Sequence, residues 1–254
     1  MNIFKQLVLS LYSPKSIASW RYQGIGKTIL FVFLLTLISI LPTAIQVSSS
    51  IINGLQAAQE TINEKVPSFT IENGKLTSDE NSPITIEQND FTIIFDPSGE
   101  IALKDIDSSG NTIALLKNEF AITSGGTVEN VSYSMVNDLK LTKDDAIEFL
   151  NSLDSLLSVI ISIFVILIYL FSSAMKFIGI TVLALIGTML KKSEAKPIQY
   201  RHLWRIAAYS ITLPTIFFTI MDSVQTPVPY GVLLNWFVSI LVLVLALKEI
   251  PQSE

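Results

Sequence analysis

The sequence predicts an α+β membrane protein: a four-helix transmembrane bundle with one overlong helix, and a β-rich extracytoplasmic domain inserted between the first and second spans. Three observations carry that expectation. Half of the 254 residues are hydrophobic and 15% are charged, against nearer a quarter charged in an ordinary soluble domain. The apolar residues collect in runs of membrane-crossing length. Charge is divided by position: Ser48 to Leu153 holds six lysines and 17 acidic residues, a balance of −11, so the rest of this −5 chain carries +6. An acidic domain on one side of a bilayer and basic loops on the other would give that division. The chain has no cysteine, which excludes disulfides, thiolate metal sites and a cysteine nucleophile.

Residues 1–27 carry Lys5, Lys15, Arg21 and Lys27 and no acid. Ile3, Phe4, Leu7, Val8, Leu11 and Tyr12 recur at helical spacing, which reads as a short amphipathic helix on the inner leaflet. Ser13-Pro14 ends it, because the residue before a proline avoids the helical region. Residues 28–47, TILFVFLLTLISILPTAIQV, hold no charge. About 20 residues at 1.5 Å each span a hydrocarbon core of roughly 30 Å. The run is long for a signal-peptide core and no small-x-small cleavage site follows it. It is read as an uncleaved signal anchor, and its four upstream positives put the N-terminus in the cytoplasm.

Residues 48–153 are the predicted extracytoplasmic domain. Ile51, Ile52, Leu55, Ala58 and Ile62 keep helical spacing to about Lys65, and Pro67 stops it. Strands follow. Asn73-Gly74 lies between extended segments and signals a type I′ hairpin. A second hairpin is expected around Asn89-Asp90, and Asp96 to Gly99 (DPSG) fits a type I turn. Gly110 and Gly125-Gly126 punctuate further strands, Thr112 to Lys117 and Val128 to Val136. Thr142 with Asp145 three residues on reads as a helix cap. The helix it starts, with Ala146, Phe149, Leu150 and Leu153 on its apolar side, feeds straight into the next apolar run.

Residues 154–254 hold three further predicted helices, about 155–190, 206–221 and 231–247, with a basic cytoplasmic loop at 191–205. The run 155–190 is broken only by Lys176. Lys191, Lys192, Lys196, Arg201 and Arg205 follow it, with Glu194 the one acid among them. That loop should be inside and the domain before the run outside, so the run crosses an odd number of times, and its length excludes three. As one helix it would be roughly 54 Å long, about 24 Å more than the apolar core. With a span over Ser155 to Met175, Lys176 snorkels at the inner headgroup level. Phe177 to Leu190 must then pack on other helices or on a partner. A five-span alternative makes Met175 to Leu190 a separate short span and puts the basic loop outside, against the positive-inside rule. Pro214 should kink the span 206–221. Asp222 and a proline-rich turn follow, and Asn235 and Trp236 lie near the outer end of the last span.

Few residues carry chemistry. His202 is the one histidine and nothing marks triad partners for it. DIDSSGN, Asp105 to Asn111, begins like a calcium loop, but Leu116 stands where the bidentate acid belongs, so a turn is expected. No catalytic, metal or cofactor residue is assigned. The candidate functional polar residues at the membrane are Lys176, Asp222, Asn235 and Arg205, since polar and ionisable groups near spans are functional candidates. The expected partners are the lipid bilayer and either a protein partner or a second copy of the chain, with no nucleic acid.

The stretches SPKSIASWRYQGIGKTILFVFLLTL (Ser13 to Leu37), FTIIFDPSG and YRHLWRIAAYSITLPTIFF (Tyr200 to Phe218) resemble a family of uncharacterised Firmicute integral membrane proteins. Some members bear the label of a MalA-type maltodextrin-utilisation protein. The basic loop running into an AYS…LP span is also distantly similar to the Yip1-type membrane family, whose members are usually given five spans. The resemblance implies a bacterial cell-membrane location and, at most, an association with sugar uptake. It implies no catalytic residue. The expected function is a non-enzymatic sensor, scaffold or accessory factor whose extracytoplasmic domain docks a partner or ligand. The alternative is a small transporter, or an accessory subunit of a malto-oligosaccharide uptake system.

Overall fold

The computed structural model describes residues 2–88, 91–136, 140–190 and 198–251. It is α+β and divides into two compact units: Met1–Ser48 with Ser162–Glu254, and Ser49–Ile161. The divisions fall inside two long helices, α3 (Ile25–Glu64) and α4 (Lys143–Leu190). The expected hairpin turn at Asn89-Asp90 and the basic residues Lys191, Lys192 and Lys196 lie outside the described residues.

The first unit is helical. Besides its parts of α3 and α4 it holds α1 (Ile3–Ser10), α2 (Pro14–Ser19), α5 (Tyr200–Ser210), α6 (Thr212–Ser223) and α7 (Gly231–Lys248). Among the described residues four helices are long and apolar enough to cross a membrane: Ile25–Glu64, Lys143–Leu190, Tyr200–Ser223 and Gly231–Lys248. The third is α5 and α6 together, broken at Ile211. Pro214 has no N–H to give to the Ser210 carbonyl one turn earlier, so the break sits just upstream of the proline. The Ser210 hydroxyl turns back to the Ile206 carbonyl at 2.9 Å.

The N-terminal segment does more than the sequence suggests. Ser13 does not merely end a helix. Its hydroxyl accepts the Ser16 N–H at 3.3 Å and starts α2, with Pro14 at the first helical position, where a missing N–H costs nothing. Ile17, Ala18 and Trp20 are buried with Leu203, Ile206, Tyr209, Leu243 and Ala246 in one core. On α1 the polar Gln6 and Ser10 are buried, while Phe4 and Val8, and Tyr12 just beyond the helix, stand exposed. That inside-out pattern suits a helix whose outer side meets an apolar medium rather than water.

Phe177 to Leu190 finds its partners within the same core. Ile180, Leu183 and Ala184 are fully buried against the residues of α3, α5 and α7. Gly187 lets the Leu203 and Leu243 side chains come close, at 3.6 and 3.4 Å from where a Cβ would stand. This part of α4 therefore lies alongside Phe31 to Leu35 rather than beyond the bundle, and α4 continues through Lys176 without a break.

The second unit pairs the C-terminal part of α3 with the N-terminal part of α4. The Lys143 ammonium donates to the Asn63 and Val66 carbonyls at 2.9 and 2.8 Å, satisfying the carbonyls left at the end of α3. Between them lie two small sheets. The strands are β1 (Phe69–Glu72), β2 (Lys75–Ser78), β3 (Ile84–Glu87), β4 (Thr92–Asp96), β5 (Thr112–Leu116), β6 (Glu119–Ser124), β7 (Thr127–Ser132) and β8 (Leu141–Thr142). One sheet has the order β2-β1-β8 and the other β3-β4-β5-β6-β7. Asn73 and Gly74 both have positive φ, 51° and 73°, as a type I′ turn requires. The β4–β5 pair is parallel, so the chain between them crosses over rather than turning back at DPSG. A further strand, β6, follows β5 after a two-residue connection that carries no turn signal in the sequence. Val66, Phe69, Leu76, Ile93, Phe95 and Tyr133 form the main core of this unit.

Candidate functional site

Asp222 and Asn235, both singled out from sequence, come together. They line one open recess of about 380 Å³ with Phe218, Gly231 and Trp236. Gly231 starts α7, and a Cβ there would stand 3.1 Å from the Phe218 ring. The Asp222 carbonyl accepts the Gln46 amide at 2.9 Å, and Asp222 also edges a second recess of about 440 Å³ with Thr43, Gln46, Gln225 and Thr226. Both recesses are open hollows at the α6–α7 turn. The exposed carboxylate there can accept hydrogen bonds from a cationic or hydroxyl-bearing group.

Lys176 stands apart from that pair. It is half-buried on α4. Its neighbour Phe177 stacks on Trp204 with centroids 6.2 Å apart and meets Phe33 edge-on at 5.3 Å. The Trp204 indole N–H donates to the Thr181 hydroxyl at 3.3 Å. One turn before Lys176, the buried Ser173 hydroxyl has no hydrogen-bond partner among the described residues.

Arg205 belongs to a third place, where α5 meets the N-terminal segment. Its Nη1 donates to the Arg21 carbonyl at 2.9 Å across 184 positions of sequence. Arg21 in turn donates to the Ala18 carbonyl at 2.7 Å, and its guanidinium lies 4.5 Å from the Tyr22 ring centroid. The other edge of the cluster is His202, whose ring meets Tyr22 at 5.1 Å. His202 lies in the field of Arg201, Arg205 and Arg21. Behind the cluster is a polar network: Gln23 donates to the Tyr209 hydroxyl at 2.5 Å, Tyr209 donates to Gln6 at 3.5 Å, and the Gln6 amide donates to Gln23. Gln6 and Tyr209 are fully buried. Sequence reasoning missed Arg21, Tyr22 and Gln23 as site residues. The only available signal was an N-terminal segment with four positives and no acid.

In the second unit Asp96, Asp105, Asp107 and Asp145 accept hydrogen bonds from their own turns. Asp105 accepts the Ala102 N–H at 3.1 Å, while Asp107 accepts the Ser109 N–H and hydroxyl at 2.8 and 2.7 Å. The Ser109 hydroxyl and then its N–H hold the Asp107 carboxyl below its ordinary pKa. DIDSSGN is thus a turn closed by its own side chains. Among the described residues no three His, Cys, Asp or Glu group to hold a metal ion.

Among the described residues, four apolar helices of membrane-spanning length accompany a small β-rich unit, a combination that fits a membrane protein. The chain belongs to the family described as protein of unknown function DUF1189, which matches residues 4–247. No curated protein and no solved structure matches it.

Proposed function

We propose that this is a non-enzymatic protein of the bacterial cell membrane with four crossings, which uses residues 48–153 on the extracytoplasmic side to dock a protein partner. Both termini are cytoplasmic in this reading. The observation that carries it is α4. None of its most apolar 18-residue window is buried within the chain, and Phe164, Leu167 and Phe171 are 48%, 55% and 70% exposed. An apolar flank of that length needs lipid or another helix around it. The division of charge along the sequence supports the orientation. The interior of the helical unit supports a scaffold over a carrier, because Phe31, Leu35, Ile180, Leu183, Leu203, Tyr209 and Leu243 fill it.

The test replaces residues 68–142 by a flexible linker, which the Lys143 contacts to Asn63 and Val66 show to need only a short reach. The docking reading expects a protein that co-purifies from native membrane with the full chain and is lost with the shortened one. Equal recovery with both chains contradicts it. A second reading, a small transporter or an accessory subunit of malto-oligosaccharide uptake, draws on the Asp222 and Asn235 recess. It expects substrate-dependent flux in proteoliposomes that falls in Asp222→Asn.

A further inference from the structure

We infer that Arg21, His202 and Arg205 form a binding site for a phosphate-bearing anion. The fold brings two guanidinium groups and an imidazole together from two ends of the chain, on segments that carry no acid of their own. There is no acid from Met1 to Gln59, and none from Ala195 to Met221. Every element that builds the cluster is therefore acid-free. Arg201 and Arg205, four residues apart, share one face of α5, a like-charge spacing that by itself disfavours the helix. An arrangement that gathers positive charge in a half-buried place is stabilised by an anion that sits there.

The donors are also held in place. Arg205 and Arg21 each spend one Nη1 on a main-chain carbonyl, that of Arg21 and that of Ala18. The rest of each guanidinium fork is directed by that anchor. Arg205 Nε is buried and has no hydrogen-bond partner among the described residues. The Tyr22 ring is a spacer that touches both Arg21 and His202. Behind it the Gln6, Gln23 and Tyr209 network fixes the N-terminal segment against α5. Planar, anchored guanidinium groups approaching from two elements suit the several oxygens of a phosphate, which accept charge-assisted hydrogen bonds from different directions. The phosphate can belong to a lipid headgroup or to a free phosphate compound. Its residues all belong to the first unit, so it stands or falls independently of partner docking.

The test uses the full chain in uncharged detergent, with phosphatidylglycerol, its phosphate-free counterpart diacylglycerol, and inorganic phosphate as probes. Thermal unfolding and native mass spectrometry read the binding. We expect phosphatidylglycerol or phosphate to raise the unfolding temperature and diacylglycerol to have no effect. The response should weaken by about tenfold in apparent affinity in Arg21→Gln and in Arg205→Gln, the scale of one charge-assisted contact. Lys15→Gln should respond like the native chain. Arg205→Lys, which keeps the charge and loses the fork, should fall between, and it serves if Arg205→Gln does not fold. A response to phosphatidylglycerol alone assigns a lipid headgroup, and a response to inorganic phosphate assigns a soluble ligand. The inference is overturned if neither probe acts on the native chain. It is equally overturned if the arginine variants respond as the native chain does, or if sodium chloride at matched ionic strength gives the same shift.

Discussion

The Phe177 ring lies nearly parallel to the Trp204 indole, with 7° between their planes and 6.2 Å between centroids. Phe177 also meets Phe33 edge-on, so this one residue joins α3, α4 and α5. The contact gives the apolar stretch Phe177 to Leu190, expected to pack on other helices or on a partner, neighbours within the chain itself. Trp204→Ala should therefore destabilise the helical unit by about 2–3 kcal/mol, at or below the low end for truncating a buried aromatic, because Trp204 is only half-buried. Trp204→Phe should retain most of that. Thermal unfolding in detergent measures both, and an alanine variant as stable as the native chain contradicts the packing described.

Asp96 gives a pH dependence with a defined sign. Its side chain is fully buried. Burial alone would raise its pKa. The Ser98 hydroxyl and the Ile101, Gly99 and Ser98 N–H groups outweigh burial and hold it below the ordinary value of 3.8. A carboxyl depressed in the folded state contributes fully above its unfolded pKa, and that contribution is lost as pH falls through the folded one. Asp96→Asn should cost about 1–3 kcal/mol at neutral pH. The gap to the native chain should narrow as pH drops below about 4. Amide exchange of β4 and β5 reads this, and a gap that is constant with pH contradicts it.

Tyr133 is the opposite case. Burial, with the Glu119 charge second, pushes its phenol well up, and the hydroxyl has no hydrogen-bond partner among the described residues. Removing a buried, unpaired hydroxyl relieves its desolvation. Tyr133→Phe should leave the second unit as stable as before, or more stable by up to about 1 kcal/mol. A loss of that size would mean the hydroxyl is satisfied.

The helix cap at Thr142 was readable from sequence and can be tested directly. Thr142 donates its N–H and hydroxyl to the Asp145 carboxylate, each at 2.7 Å, and accepts the Asp145 N–H at 3.2 Å. Thr142→Ala should cost about 1 kcal/mol, seen as faster amide exchange in the first turn of α4. Unchanged exchange there would contradict the cap.

Local chemistry decided which parts of the fold were legible. Asn73-Gly74, Thr142 with Asp145, and Pro214 each fix backbone geometry within a few residues, so their effects appear where the sequence places them. The β5–β6 connection at Lys117 and Asn118 carries no glycine or proline, and β6 went unread. The parallel β4–β5 pair depends on a crossover that no local pattern encodes. The same holds for the candidate sites. Asp222 and Asn235 were visible as polar residues at the ends of apolar runs. Arg21 gained its role only through contact with Arg205, 184 positions away.

In the proposed topology residues 48–153 and the start of α5 face opposite sides of the membrane. The absence of cysteine makes single-cysteine labelling the most direct measurement. Ser109→Cys and Gln199→Cys are exposed to a membrane-impermeant thiol reagent in intact cells and after permeabilisation. Ser109→Cys should label in intact cells, and Gln199→Cys only after permeabilisation. Labelling of Gln199→Cys in intact cells would contradict the single crossing of α4 and favour five spans.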